Sequence, residues 1–171
     1  LITDYGAIIS RMGKPQRRGE EEQMARRLTE LGIPIIATIE APGTFEGGGE
    51  TIWLDRETLL VGHTYRTNRE GFEQIKAALA GKVNVIQCEL PHYKGPGTVL
   101  HLGSVISMVD KDLCVVYEKL IPISLVKMLQ EREIKMISIP EEEWPTSASN
   151  VLAVAPRKAI MVEGNPVTKR L

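Results

Sequence analysis

Short apolar runs alternate with amphipathic stretches along the whole chain. The apolar runs are bounded by glycine, proline and aspartate turns, a pattern that predicts β-strands. Between them, apolar residues recur at helical spacing, as Met24, Leu28 and Leu31 do in the segment 19–31. The predicted strands are 7–10, 34–39, 51–54, 58–61, 83–88, 99–109, 113–117, 135–139, 151–154 and 159–162, and the predicted helices are 19–31, 70–79 and 123–132.

The order strand, strand, helix, strand recurs along the sequence. Turns at Asp55, Asp110 and Pro156 lie about 45 to 55 residues apart, which is typical of repeat architectures. The predicted units span about 1–39, 44–90, 98–140 and 150–171; the first has lost its leading strand and the last is only a beginning. Repeated ββαβ units usually close into a ring, because one unit cannot bury its apolar face alone. About three and a half units do not close a ring, so we expect a single partial α/β domain over 1–171, truncated or completed by another copy.

Composition narrows the class of protein. A length of 171 residues suits one domain, and a hydrophobic content of 43% supplies a core. The net charge of −1 gives no reason to expect nucleic acid or a membrane surface as a partner. Two cysteines and the lack of a long apolar run favour a cytoplasmic protein without disulfides. The chain starts at Leu1 without methionine, and both ends look cut, which favours a fragment.

The stretch 44–71 concentrates candidate chemistry. It opens with Glu46 beside a glycine run, continues through the predicted hairpin, and ends with Arg66 and a helix. The acid and the cation flank the hairpin and are expected to meet at one rim, and glycines let backbone approach a ligand closely. The alternative is a glycine-rich turn leading into a surface hairpin.

Histidines and arginines supply further candidates. His101 is a candidate general acid/base, for which it needs a nearby carboxylate, and Glu46 is the best partner because it starts the corresponding hairpin one repeat earlier. The alternative is a hydrogen-bonded histidine of the core or its rim.

The candidates to bind a carboxylate are Arg17, Arg18 and Arg66. A solvated basic loop explains Arg17 and Arg18 equally well. We expect His63 and His92 to be surface residues.

Other chemistry has little support in the sequence. Cys88 and Cys114 lie in apolar strands and are expected to be buried thiols. No spacing of cysteine and histidine suggests zinc, and no phosphate-binding glycine motif follows a strand, so neither a metal nor a cofactor is expected. The acidic run 141–143 is expected to be a solvated loop.

Four ordered motifs resemble one family. They are SRMG followed by QRRGE over 10–20, TFEGG at 44–48, VGHTYRTN at 61–68 and LHLGS at 100–104. Together they resemble the amidinotransferase and dimethylarginine dimethylaminohydrolase group of guanidino-group modifying enzymes. That resemblance implies the pentein fold, an α/β propeller of five ββαβ units around a pseudo-fivefold axis, of which this chain would form an incomplete ring.

The resemblance also implies roles for individual residues. A cysteine would attack the guanidinium carbon of arginine or a substituted arginine, and His101 would protonate the leaving amine and then activate water. Glu46 would orient His101 and hold the guanidinium group. Arg17 and Arg66 match positions that bind the α-carboxylate end, and Phe45 and Glu50 are further substrate-binding candidates in the same segment.

Departures from the family pattern limit these expectations. The nucleophilic cysteine of the family lies in its last unit, and neither Cys88 nor Cys114 matches it, so this chain alone is expected to lack turnover. An extra glycine displaces Glu50, and Gly103 blurs the choice of substrate. Hydrolase and amidinotransferase activity both stay open, as does a non-catalytic pentein module that binds a ribosome or a protein. Exposed strand edges of an incomplete ring would favour a homo-oligomer.

Overall fold

Strands and helices follow one another in a repeating order in the computed structural model, which describes residues 1–98 and 100–170. The strands are β1 (Ile2–Thr3), β2 (Gly6–Ile9), β3 (Ile35–Thr38), β4 (Thr51–Asp55), β5 (Thr58–His63), β6 (Asn84–Glu89), β7 (Ile106–Asp110), β8 (Leu113–Val116), β9 (Lys135–Ser138), β10 (Leu152–Ala155) and β11 (Lys158–Ile160). The helices are α1 (Glu20–Glu30), α2 (Arg69–Ala78), α3 (Leu102–Val105) and α4 (Ile123–Glu131).

Each three-stranded sheet repeats one connection. The orders β1-β2-β3, β4-β5-β6 and β7-β8-β9 all consist of an antiparallel hairpin followed by a parallel third strand, with a helix in the crossover. The pair β10-β11 is a further hairpin. The predicted order strand, strand, helix, strand is therefore confirmed. The first unit nevertheless keeps a leading strand, since Ile2 and Thr3 pair with Ala7 and Gly6, so the prediction that it had lost that strand is wrong.

The predicted strand 99–109 is wrong in its first half. Val99 lies outside the described residues, and Leu102–Val105 forms a helical turn before β7 begins at Ile106. Leu102 and Val105 are both fully buried, one helical turn apart. A short apolar run does not separate buried strand from buried helix, because both are apolar without alternation. His101 consequently precedes a helical turn and is not part of a strand.

The core consists of apolar clusters on both sides of the β4-β5-β6 sheet. Leu59 and Val61 on β5 pack into one cluster with Phe45, whereas Leu60 packs into the other with Leu102. This division follows from the alternation of side chains along a strand. Every position of β5 from Thr58 to Gly62 is buried, as expected of a strand covered on both faces. This central strand therefore fixes the positions of the segments at its two ends.

Strand polarity places the candidate residues at one end of the sheets. β4 runs from Thr51 to the turn at Asp55, and β5 returns to His63, parallel to β6. The segment 47–50 before β4 and the segment 64–68 after β5 therefore lie at the same end. The predicted meeting of an acid and a cation at one rim follows from this polarity.

Burial departs from the sequence pattern in two places. Helix α1 confirms the predicted helix 19–31 but buries no residue, and Met24 and Leu31, which share its apolar spacing, are each 57% exposed. In the acidic run, Glu143 is buried and accepts hydrogen bonds from the backbone N–H groups of Val167 and Thr168 and from the Thr168 hydroxyl. Glu143 thus anchors the C-terminal segment instead of facing solvent.

Candidate active site

The carboxylate of Glu46 accepts hydrogen bonds from two guanidinium groups. Its side chain is 2% exposed, and its Oε1 accepts a hydrogen bond from Arg66 Nη1 at 3.1 Å. Its Oε2 accepts from Arg17 Nη1 at 3.2 Å, and the Lys14 N–H donates to Oε1 at 3.2 Å. A buried polar group needs such hydrogen-bond partners. The Glu46 carboxylate is therefore held in a fixed position between two arginines.

Glu50, rather than Glu46, holds the imidazole of His101. Glu50 Oε1 lies 2.6 Å from His101 Nδ1, and the Glu50 side chain is fully buried. The other ring nitrogen, Nε2, lies 3.8 Å from Glu46 Oε2. The ring therefore stands between two carboxylates, with a hydrogen bond to one and an open approach to the other. Sequence reasoning chose Glu46 as the orienting acid, and the geometry gives that position to Glu50.

Thr64 connects the carboxylate of Glu50 to the segment that carries Arg66. Its hydroxyl donates to Glu50 Oε1 at 2.6 Å and accepts from the N–H groups of Arg66 at 3.0 Å and Thr67 at 3.3 Å. A threonine that bonds the backbone two and three residues on stabilises a tight turn. The turn carries Arg66 back toward Glu46, whose own N–H donates to the Thr67 hydroxyl at 3.2 Å.

Glycine makes room for the buried acid. A Cβ added to Gly62 would lie 2.7 Å from Glu50 Oε2, a distance that a side chain does not tolerate. A Cβ at Gly103 would lie 3.2 Å from the carbonyl oxygen of Gly49, where the helical turn after His101 packs on the glycine run. Both glycines thus allow backbone and carboxylate to approach closely.

The two arginines are held differently. The Arg66 side chain is 12% exposed, whereas Arg17 is 42% exposed and shares its guanidinium between Glu46 and Glu20. Hydrogen bonding to Glu20 first, and the charge of Glu46 in addition, raise the pKa of Arg17. Arg66 is consequently a fixed part of the site, and Arg17 is the partner of Glu46 that is easier to displace.

Phe45 does not reach the surface of this site. Its side chain is fully buried in the core beside Ile8 and Val61, and its N–H donates to the Arg11 carbonyl at 2.8 Å. The sequence expectation of a substrate-binding Phe45 is therefore replaced by a packing side chain that fixes the position of Glu46. Sequence reasoning had no signal for this, because an apolar residue beside an acid suits either role.

Neither cysteine fits the role of nucleophile. Cys88 and Cys114 are buried within the same apolar cluster. Burial, with a smaller effect of Glu89 and Glu118 respectively, raises the pKa of each thiol to about 12. The thiolate is the reactive form, so neither residue is a nucleophile at neutral pH. The expectation of buried structural thiols agrees with these positions.

The described residues contain neither a metal-binding cluster nor a helix that could cross a membrane. Within residues 1–98 and 100–170, no group of three or more potential metal-ligating side chains lies close enough to hold an ion. In the same residues, no helix combines the length and apolar character that crossing a bilayer requires.

Comparison with known proteins places these residues in a family. Residues 1–165 match the family model described as N,N dimethylarginine dimethylhydrolase, eukaryotic. An uncharacterized protein of Aeropyrum pernix is 33% identical over 165 residues, which cover 96% of this chain and 56% of that protein. The N(G),N(G)-dimethylarginine dimethylaminohydrolase of Pseudomonas aeruginosa is 31% identical over 174 residues, which cover 99% of this chain and 61% of the enzyme.

A solved structure shares the fold. A cysteine-to-serine variant of the Pseudomonas aeruginosa enzyme, complexed with citrulline, superposes with a TM-score of 0.80 and 29% sequence identity. The match covers 99% of this chain and 61% of that chain. This chain therefore has a mixed α/β fold similar to that of the enzyme, and it spans between 56% and 61% of the length of these relatives.

Proposed function

This chain belongs to the dimethylarginine dimethylaminohydrolase family, and we infer that it carries the guanidinium-binding and proton-transfer residues of a hydrolase acting on arginine or a substituted arginine. The observation that carries the proposal is the position of His101, bonded to Glu50 at 2.6 Å and facing Glu46 at 3.8 Å. A general acid/base and an anion that attracts a guanidinium group then lie side by side.

Glu46 provides the binding position for the substrate's guanidinium group. Carboxylates form charge-assisted hydrogen bonds with guanidinium groups. The oxygen of Glu46 that can accept one from the substrate is Oε2, because Arg66 and the Lys14 N–H already bond Oε1. Arg17 occupies Oε2 of Glu46 at 3.2 Å, but its exposed side chain also pairs with Glu20 at 2.7 Å. An arriving substrate displaces Arg17 from Glu46 and leaves it on Glu20, so its charge stays paired. Arg66 remains in place and is available to the substrate's carboxylate.

The proposed reaction proceeds in two halves. A cysteine thiolate supplied from outside the described residues attacks the guanidinium carbon, and the leaving amine departs with a proton from His101 Nε2. Water then gives a proton to His101 and adds to the thiouronium carbon. As the carbon–sulfur bond breaks, the remaining hydroxyl proton passes to solvent, which releases a neutral ureido product and restores the thiolate. Glu50 holds the orientation of the ring throughout, through the hydrogen bond at Nδ1.

We also propose how the repeated units of this chain are arranged in the whole protein. The repeated ββαβ units would be part of a five-unit pentein ring, in which further units supply the cysteine. A purely binding module is the alternative, and it has no use for a buried carboxylate that fixes an imidazole. Hydrolysis is favoured over amidino transfer because the named relative is a hydrolase.

Binding by the 171-residue chain tests the proposal without needing the nucleophile. Isothermal titration calorimetry with L-arginine should show saturable binding to the wild-type chain. Glu46→Gln should weaken it at least tenfold, because a neutral amide does not pair with the guanidinium charge. Glu57→Gln, an exposed change at the far hairpin turn, is the matched control and should leave binding unchanged. Equal binding by Glu46→Gln and the wild type would contradict the proposed role of Glu46.

A further inference from the structure

Arg17 places a guanidinium group of the protein itself on the candidate binding carboxylate. Its Nη1 donates to Glu46 Oε2 at 3.2 Å, and that same oxygen lies 3.8 Å from His101 Nε2. The other oxygen of Glu46 accepts hydrogen bonds from Arg66 Nη1 and from the Lys14 N–H. Oε2 is therefore the oxygen that a guanidinium ligand needs, and Arg17 already occupies it.

Glu20 fixes the orientation of the Arg17 guanidinium. Its Oε1 accepts from Arg17 Nε at 2.9 Å, and its Oε2 accepts from Arg17 Nη2 at 2.7 Å. A carboxylate that accepts two hydrogen bonds from one guanidinium fixes the plane of that group as well as its position. The remaining terminal nitrogen, Nη1, is thereby directed at Glu46.

Glu21 ties together the two ends of the loop that carries Arg17, which we call loop 12–19. Its Oε1 accepts the N–H of Met12 at 2.8 Å, and its Oε2 accepts the N–H of Gly19 at 2.5 Å. The Lys14 N–H fastens the middle of the loop to Glu46 at 3.2 Å. The loop is therefore closed before a ligand arrives, so Arg17 needs little further ordering to reach Glu46.

The contact between Arg17 and Glu46 can both compete with a ligand and yield to it. Glu46 is buried, whereas the side chains of Arg17 and Glu20 are open to solvent. An ion pair with an exposed partner contributes modestly to stability. A ligand guanidinium can therefore displace Arg17 from Oε2, but its net affinity is lowered by the contact that it replaces.

We propose that Arg17 is an internal competitor for Glu46, and that Glu20 is the positioning residue that holds it there. This inference rests on the proposed function, because it takes Glu46 as the carboxylate that binds the ligand. A compound that offers only a guanidinium group must displace a group of the same charge and shape. Loop 12–19 thus selects against bare guanidinium compounds and leaves the site to ligands that make further contacts.

Methylguanidine is the probe for this competition, because it presents a guanidinium group without a carboxylate or an amine. Its dissociation constant is measured from the backbone amide resonances of the isotope-labelled 171-residue chain during titration. Arg17→Met should tighten binding about threefold, the scale of a partly exposed ion pair. Arg26→Met, which removes the same charge from an exposed position on helix α1, is the matched control and should leave the affinity unchanged.

Glu20→Gln gives a result whose sign separates positioning from charge. Loss of a negative charge near the site by itself weakens the binding of a cation. Because Glu20 holds Arg17 on Glu46, Glu20→Gln should instead tighten methylguanidine binding, and it should add nothing to the Arg17→Met variant. Glu22→Gln makes the same change of charge at an exposed position two residues further along the helix and should not tighten binding.

The outcomes separate this inference from the function beneath it. Methylguanidine affinity that is unchanged or lower in Arg17→Met overturns the inference while guanidino binding stands. So does binding of L-arginine by a chain whose Arg17→Met variant binds no methylguanidine. A lower affinity in Glu20→Gln removes Glu20 as the positioning residue. If neither methylguanidine nor L-arginine binds the wild type or Arg17→Met, the proposed function fails, and this inference fails with it.

Discussion

Glu50 and His101 are separated by 51 positions in the chain, and their side chains meet at 2.6 Å between Oε1 and Nδ1. The contact joins the glycine-rich turn before β4 to the loop before β7, so two neighbouring units each contribute one member. The carboxylate is fully buried and also accepts the Thr64 hydroxyl. A charged hydrogen bond of this kind fixes the ring orientation, which leaves Nε2 as the nitrogen able to exchange protons with a substrate.

The space that Gly62 leaves for the Glu50 carboxylate is the first property to test. Gly62→Ala would place Cβ 2.7 Å from Glu50 Oε2, so the carboxylate or the strand must shift. We expect a loss of about 1–3 kcal/mol in the free energy of unfolding, measured by urea denaturation. Gly48→Ala is the matched control, because nothing lies within 4 Å of its added Cβ. Equal stability of the two variants would show that the acid is not confined as described.

The reactivity of the thiols is the second property to test. Burial raises the pKa of Cys88 and Cys114 to about 12, so both are protonated and enclosed at pH 7 to 8. We expect a chromogenic disulfide reagent to leave the native chain unlabelled and to label both cysteines once urea unfolds it. Rapid labelling of the native chain at either cysteine would contradict this description and reopen that residue as a nucleophile.

The attachment of the C-terminal segment should depend on pH through Glu143. Burial acts to raise the pKa of Glu143, but hydrogen bonds from the Thr168 hydroxyl and the N–H groups of Thr168 and Val167 outweigh it, so the pKa lies below 4.5. The carboxylate therefore stabilises the fold above the pKa of the unfolded chain, and this contribution disappears as the pH falls through the lowered value.

Amide hydrogen exchange of Val167 and Thr168 measures that attachment. Protection should be constant from pH 7 down to about 5, after allowance for intrinsic exchange rates, and should decrease as the pH falls below 4.5. Glu143→Gln should show reduced protection that no longer changes over this range. Protection in the wild type that persists unchanged to strongly acidic pH would argue against Glu143 as the anchor.

The local sequence predicted the repeated order of strands and helices. It did not predict which carboxylate pairs with His101 in the candidate site. Hydrophobic runs and glycine turns predicted β4, β5 and α2 closely, because their burial follows from alternation and helical spacing. Glu46 and Arg66 were predicted to meet, and they do at 3.1 Å. The partner of His101 was missed because its contact with Glu50 spans 51 positions and depends on the space left by Gly62, neither of which a local pattern shows.

The solvent exposure of side chains was the other property that the hydrophobic pattern of the sequence did not predict. Helix α1 has the apolar spacing of a packed helix, yet Met24 and Leu31 are each 57% exposed. The acidic run looked solvated, yet Glu143 is buried by a segment that follows it by more than twenty positions. Periodicity states which residues share a face, and tertiary contacts decide whether anything covers that face.

Turnover is the most direct test of the central claim, measured on this chain joined to the cysteine-bearing units that the proposed reaction requires. We expect citrulline formation from L-arginine or a methylated arginine. His101→Ala should lower kcat by at least about 10²-fold, the usual scale for a general acid/base. Substitution of Cys88 or Cys114 by serine in the same protein should leave kcat within about threefold, since neither thiol is reactive at neutral pH. Near-normal turnover by the His101→Ala protein would contradict the account.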